Sequence, residues 1–231
     1  MARRKARWVG ILAALLGPIV VTGVARADIM FFTDRGEFIE FYNQHHSQSL
    51  QGLTALADET NDQVVNGLST NGQRILIKGD TPLVVQAGSD LVSTPGSSAS
   101  SLVEEVSVLN PPGTTFVAEG ATYTFDLTLG SFNQYTLIVG DFVGPNRQPS
   151  PTASATFITT GFSSFFGAVA YKGQSFDYFQ VVDTAGNRTL DTKSDIRLSF
   201  IPEPASLAML GTGVLALAGV LAQKRLRSSA T

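Results

Sequence analysis

The chain has 231 residues, with 16 Lys and Arg against 19 Asp and Glu, and no cysteine. That length holds one ordinary domain with processing segments, or two small ones. The missing cysteine excludes disulfides, iron–sulfur clusters, thiolate zinc sites and a cysteine nucleophile.

Residues 1–27 read as a secretory signal peptide. Arg3, Arg4, Lys5 and Arg7 form a basic start, residues 8–24 an apolar run interrupted by Pro18, and Ala25 and Ala27 supply the small side chains that a signal peptidase reads. Cleavage after Ala27 makes Asp28 the first residue of the exported chain.

A short helix is predicted over residues 35–44. Asp34 with Glu37 three residues on fits a capping pair, and Phe38, Ile39, Phe41 and Tyr42 fall on one helical face. From Val64 the pattern changes to period two, with turn dipeptides at Asn66-Gly67 and Asn71-Gly72. Residues 74–78 read as a strand ended by Gly79-Asp80. Tyr123, Phe125, Leu127 and Leu129 alternate with Thr122, Thr124, Asp126 and Thr128 as a half-buried strand. Further strands are predicted at 82–87, 102–109, 135–140, 153–160, 165–171, 177–183 and 196–200. Residues 184–187 are read as a hairpin turn, and 95–101 and 144–151 as mobile loops. Many short strands with one early helix argue for a mainly β fold, an antiparallel β-sandwich occupying residues 28–200. Alternation of strands with long helices is missing, which argues against a doubly wound α/β fold.

Residues 205–222 are all apolar or small and are followed by Lys224, Arg225 and Arg227. About 18 residues at ~1.5 Å each just cross a ~30 Å hydrocarbon core, so a transmembrane helix is expected. The basic tail then stays on the cytoplasmic side. Immediately before this span stands Pro202-Glu203-Pro204. The two prolines keep the backbone extended, a form suited to presentation at a membrane surface.

This order of Pro-Glu-Pro, apolar span and basic tail over residues 201–231 resembles the PEP-CTERM sorting signal. The resemblance implies export by a Gram-negative bacterium that makes extracellular polysaccharide, and cutting near the motif by a membrane-embedded exosortase. Signal peptidase and exosortase are therefore the expected partners, with transient membrane anchoring before delivery to the cell envelope or biofilm matrix. Phe32-Thr33-Asp34-Arg35 resembles the phrase that opens the exported part of many such proteins. Residues 165–169 and 179–181 are similar to the closing strands of jelly-roll ectodomains of this family, which implies a jelly-roll-like body.

Between Asp28 and Glu203, eight basic residues face all nineteen acids, a net charge of −11. Such a body repels nucleic acid, which is not expected as a partner. Catalytic motifs are not found: His45 and His46, the two histidines, are adjacent and expected to face solvent at the helix end, and no nucleophile elbow, P-loop or His-Glu-x-x-His occurs. Glu104 and Glu105 point to opposite faces of one strand, so they do not flank a glycosidic bond, and a solvated face is expected for them. Asp58, Glu59 and Asp62 gather oxygen ligands in an expected loop and are weak calcium candidates; no resident metal or cofactor is otherwise expected. The body is expected to be non-enzymatic, structural or interacting. The alternatives are a lectin-like module binding polysaccharide through aromatics and amides such as Phe132-Asn133-Gln134-Tyr135, and an envelope hydrolase.

Overall fold

The computed structural model describes residues 21–22, 28–70, 73–106, 114–125, 133–159 and 161–202. In chain order the elements are β1 (Val21–Thr22), β2 (Ile29–Phe32), α1 (Arg35–His45), β3 (Gln51–Gly52), β4 (Thr54–Ala55), β5 (Glu59–Thr70), β6 (Gln73–Val85), β7 (Val92–Ser93), β8 (Ser101–Val106), β9 (Thr114–Phe125), β10 (Asn133–Val143), β11 (Gln148–Thr159), β12 (Ser163–Ala170), β13 (Tyr178–Asp183) and β14 (Leu190–Pro202).

The mainly β, antiparallel character and the single short helix agree with the sequence reading. Where two facing sheets were expected, the strands instead follow one continuous hydrogen-bonded path, β1-β11-β10-β13-β8-β6-β7-β14-β9-β12-β2, nearly closed into a barrel-like shape. Long strands that change partners stitch the path together. β6 pairs with β8 over Ile75 to Gly79 and with β7 at Val84 and Val85; β14 meets β7 at Thr192 and Lys193, β3 at Arg197 and Leu198, and β9 along its other edge. Gly79 therefore does not end a strand. A Cβ there would stand 2.9 Å from the Leu83 side chain and 3.0 Å from the Thr81 carbonyl, so the missing side chain lets the backbone fold close to itself while pairing continues.

Three predicted loops are corrected. Residues 148–151 belong to β11, paired from Gln148 with Val143 onward, so the turn shrinks to 144–147. Residues 95–101 are tied down: the Asp80 carboxylate accepts from the Ser100 and Ser101 amides and from the Ser100 hydroxyl, and Ala99 is buried and bridged to Leu190. The 184–187 turn joins β13 to β14, strands that do not pair, with both Asp183 carboxylate oxygens accepting from the Ala185 and Asn187 amides. Asn66-Gly67 lies within β5, where pairing with β6 shifts between Val65 and Leu68, and Asn71-Gly72 lies outside the described residues.

α1 begins as predicted. Asp34 has extended backbone, and its Oδ1 accepts from the Glu37 amide at 2.9 Å. Phe38 and Tyr42 are buried in a second, outer core with Phe32, Val117, Ala118, Phe165 and Val169. The helix thus covers the outer face of β9 and β12, opposite the main core that holds Tyr123, Phe125, Tyr135, Phe166 and Phe179. That cover explains why the first half of β9 escapes prediction. Residues 115–121 are all buried, so period-two alternation vanishes, whereas 122–125 alternate as read.

Candidate functional site

The last strand carries the predicted sorting signal to the body. β14 stays paired with β9 through Ile201 opposite Thr115 and Pro202 opposite Thr114, and Phe200 stacks on Phe116 with centroids 5.2 Å apart. A proline, lacking the amide hydrogen that a ladder uses, is accommodated at a strand's end. The first residue of Pro-Glu-Pro is therefore still part of the sheet. At the other end, the Asp28 carbonyl accepts from the Tyr171 amide at 3.0 Å, and its carboxylate lies 3.6 Å from Lys172 Nζ. Cleavage after Ala27 would leave a first residue already held by the fold. Ala25, Ala27, Glu203, Pro204, the apolar span, Lys224, Arg225 and Arg227 lie outside the described residues.

A family model for the PEP-CTERM protein-sorting motif matches residues 200–225. The chain carries a PEP-CTERM sorting signal. Comparison with curated proteins and with solved structures gives no match. The PEP-CTERM motif marks an exported, envelope-associated protein and implies processing by an exosortase. It spans the Phe200 and Pro202 end of β14, so sorting signal and folded body share residues rather than merely adjoining.

Elsewhere in this PEP-CTERM protein the other candidates separate. Asp58 Oδ1 accepts from the Ala87 amide at 2.8 Å, while Glu59 and Asp62 fall in β5, with Glu59 opposite Val85 and Asp62 opposite Leu83, and not in the expected loop. A strand spreads successive residues over two faces instead of folding their oxygens around one centre. No cluster of three His, Asp or Glu suited to a metal is present among the described residues. Of the expected solvent-facing histidine pair, His45 is exposed as predicted and His46 departs from it. His45 stacks on Phe41 at 4.1 Å and donates from Nδ1 to the Phe41 carbonyl, whereas half-buried His46 stacks on Tyr42 and donates from Nε2 to the Ala170 carbonyl at 2.7 Å.

Glu104 and Glu105 depart furthest from expectation, because both are buried. Glu105 pairs with Lys78 at 2.9 Å. Glu104 faces the opposite way, into the interior, where Lys193 Nζ touches its Oε1 and lies 3.2 Å from Glu119 Oε1. Lys193 and Glu119 are 0% exposed and Glu104 1%. The Tyr123 and Phe179 rings stand 5.6 and 5.7 Å from Nζ. Burial pushes the Lys193 amine well below its usual pKa and the Glu104 carboxyl well above, so both groups favour their neutral forms. Sequence reasoning missed this cluster because its members come from β8, β9 and β14, with nothing in the local pattern linking them.

Proposed function

We propose that this is an exported, non-enzymatic protein of a Gram-negative cell envelope or its extracellular matrix, delivered through its PEP-CTERM signal, with the β body serving as a structural or interaction module. Signal peptidase acts after Ala27, the C-terminal segment halts export and anchors the chain transiently, and an exosortase acts near Pro202-Glu203-Pro204. The observation that carries this reading is the matched motif at residues 200–225, joined without a spacer to the strand that closes the body.

The test is intact mass and C-terminal sequence of the protein recovered from its host, with and without the exosortase. A chain ending near residues 202–204 only when the enzyme is present is the expected result. Retention of Lys224 to Thr231 in both strains refutes processing.

Polysaccharide binding by the body is the second reading. An open cleft of about 620 Å³ offers Ser97, Ser98, Arg188 and Asp191 to sugar hydroxyls. None of its lining residues is aromatic, so the flat apolar surface on which sugars stack is missing and the structural reading stands ahead. Retention of labelled polysaccharide by the purified protein would reverse that order.

A further inference from the structure

We propose that Lys193 and Glu104 become joined by an intramolecular isopeptide bond, formed by the folded protein unaided, with Glu119 moving the proton between them. The inference is independent of sorting and rests on the interior cluster alone.

As a resting salt bridge the cluster is poorly built. One amine faces two carboxyl groups in a site closed to water, and Glu104 Oε2 and Glu119 Oε2 have no hydrogen-bond partner. Buried ion pairs repay their desolvation only when the remaining lone pairs are satisfied, and here they are not. As a set of reactants the same arrangement is apt. The amine is held against the carboxyl by three strands of a packed interior, which removes the entropic cost of bringing them together. Burial favours the unprotonated amine, the nucleophilic form, and the protonated Glu104 carboxyl, whose hydroxyl can leave as water.

The step balances without any co-reactant. The lone pair of Lys193 Nζ adds to Glu104 Cδ, forming the C–N bond. Glu119, within reach of Nζ, takes a proton from the nitrogen and returns it to the departing hydroxyl; the C–O bond breaks, one water leaves, and Glu119 ends as it began. The product is a neutral secondary amide walled by Tyr123 and Phe179. Glu104 is the acyl donor because its oxygen touches Nζ directly, and its strand β8 does not pair with β14. The bond would therefore tie together two strands that do not pair directly with each other, in a chain without cysteine.

The test is the intact mass of the purified, denatured full chain, with peptide mapping after proteolysis. The expected wild-type mass is one water below that of its sequence, with a branched peptide joining Lys193 to Glu104. Lys193→Arg should show its full sequence mass. Glu119→Gln keeps both reactants and, once its fold is confirmed by circular dichroism, should form the bond roughly a hundredfold more slowly. Folded wild-type protein at full sequence mass, yielding linear peptides that contain Lys193 and Glu104, overturns the proposal. So does loss of water mapped to any other pair, Lys193 with Glu119 included.

Discussion

Gly167 sits between two rings of the outer core. A Cβ at this position would stand 2.7 Å from the Phe38 ring and 2.9 Å from that of Phe165, which is closer than carbon atoms pack. Gly167→Ala should therefore push α1 away from the sheet and cost about 1–3 kcal/mol, measured by denaturant unfolding. The tyrosines make a second residue-scale prediction. Burial raises Tyr135 and Tyr178 from 10.0 to about 12, with hydrogen bonding to Thr189 opposing the rise at Tyr135. The unfolded chain loses these phenolic protons at lower pH than the folded one. Stability is thus intact below pH 10 and falls as pH climbs from 10 toward 12. Phenolate absorbance and circular dichroism followed together should show ionisation lagging behind free tyrosine and then rising with unfolding; phenolates that all titrate near 10 in folded protein would contradict this.

Among the elements, α1 is the one its sequence specifies most fully. Asp34→Ala removes the acceptor for the Glu37 amide and should cost about 1 kcal/mol in thermal or denaturant unfolding. The same locality made the helix legible, since cap and apolar face both lie within a dozen residues. Strands were legible where one face met water, as at residues 122–125, and illegible where α1 covers the outside, as along 115–121. Gly79 read as a stop because glycine usually breaks strands, yet here it permits a close backbone approach that only the folded β6 reveals. The carboxylates at 104 and 105 were read as strand residues on opposite faces, which they are. Their burial followed from partners on β6, β9 and β14, a matter of tertiary pairing that no local pattern encodes.

At the scale of the whole molecule, the sorting signal was readable because it is linear: tripeptide, span and tail occur in sequence order and need no folding to be recognised. The body's shape was less so, because a continuous sheet and two facing sheets share the same strand alternation and differ only in which strands change partner. That pairing also places the C-terminal end of the body very near the span. From Pro202, still in the sheet opposite Thr114, to Ala205, the first residue of the apolar run, there are three backbone steps, at most about 11 Å when extended. If residues 205–222 span the bilayer as expected, an enzyme lodged there would meet the motif within a few residues of the paired end of β14. Opening the two terminal pairs, Ile201 with Thr115 and Pro202 with Thr114, lengthens the accessible chain slightly, whereas Phe200 is pinned by its stack on Phe116. For the proposed cut the paired end of β14 would then set the nearest limit, and C-terminal sequencing of the released protein should find no end before Phe200.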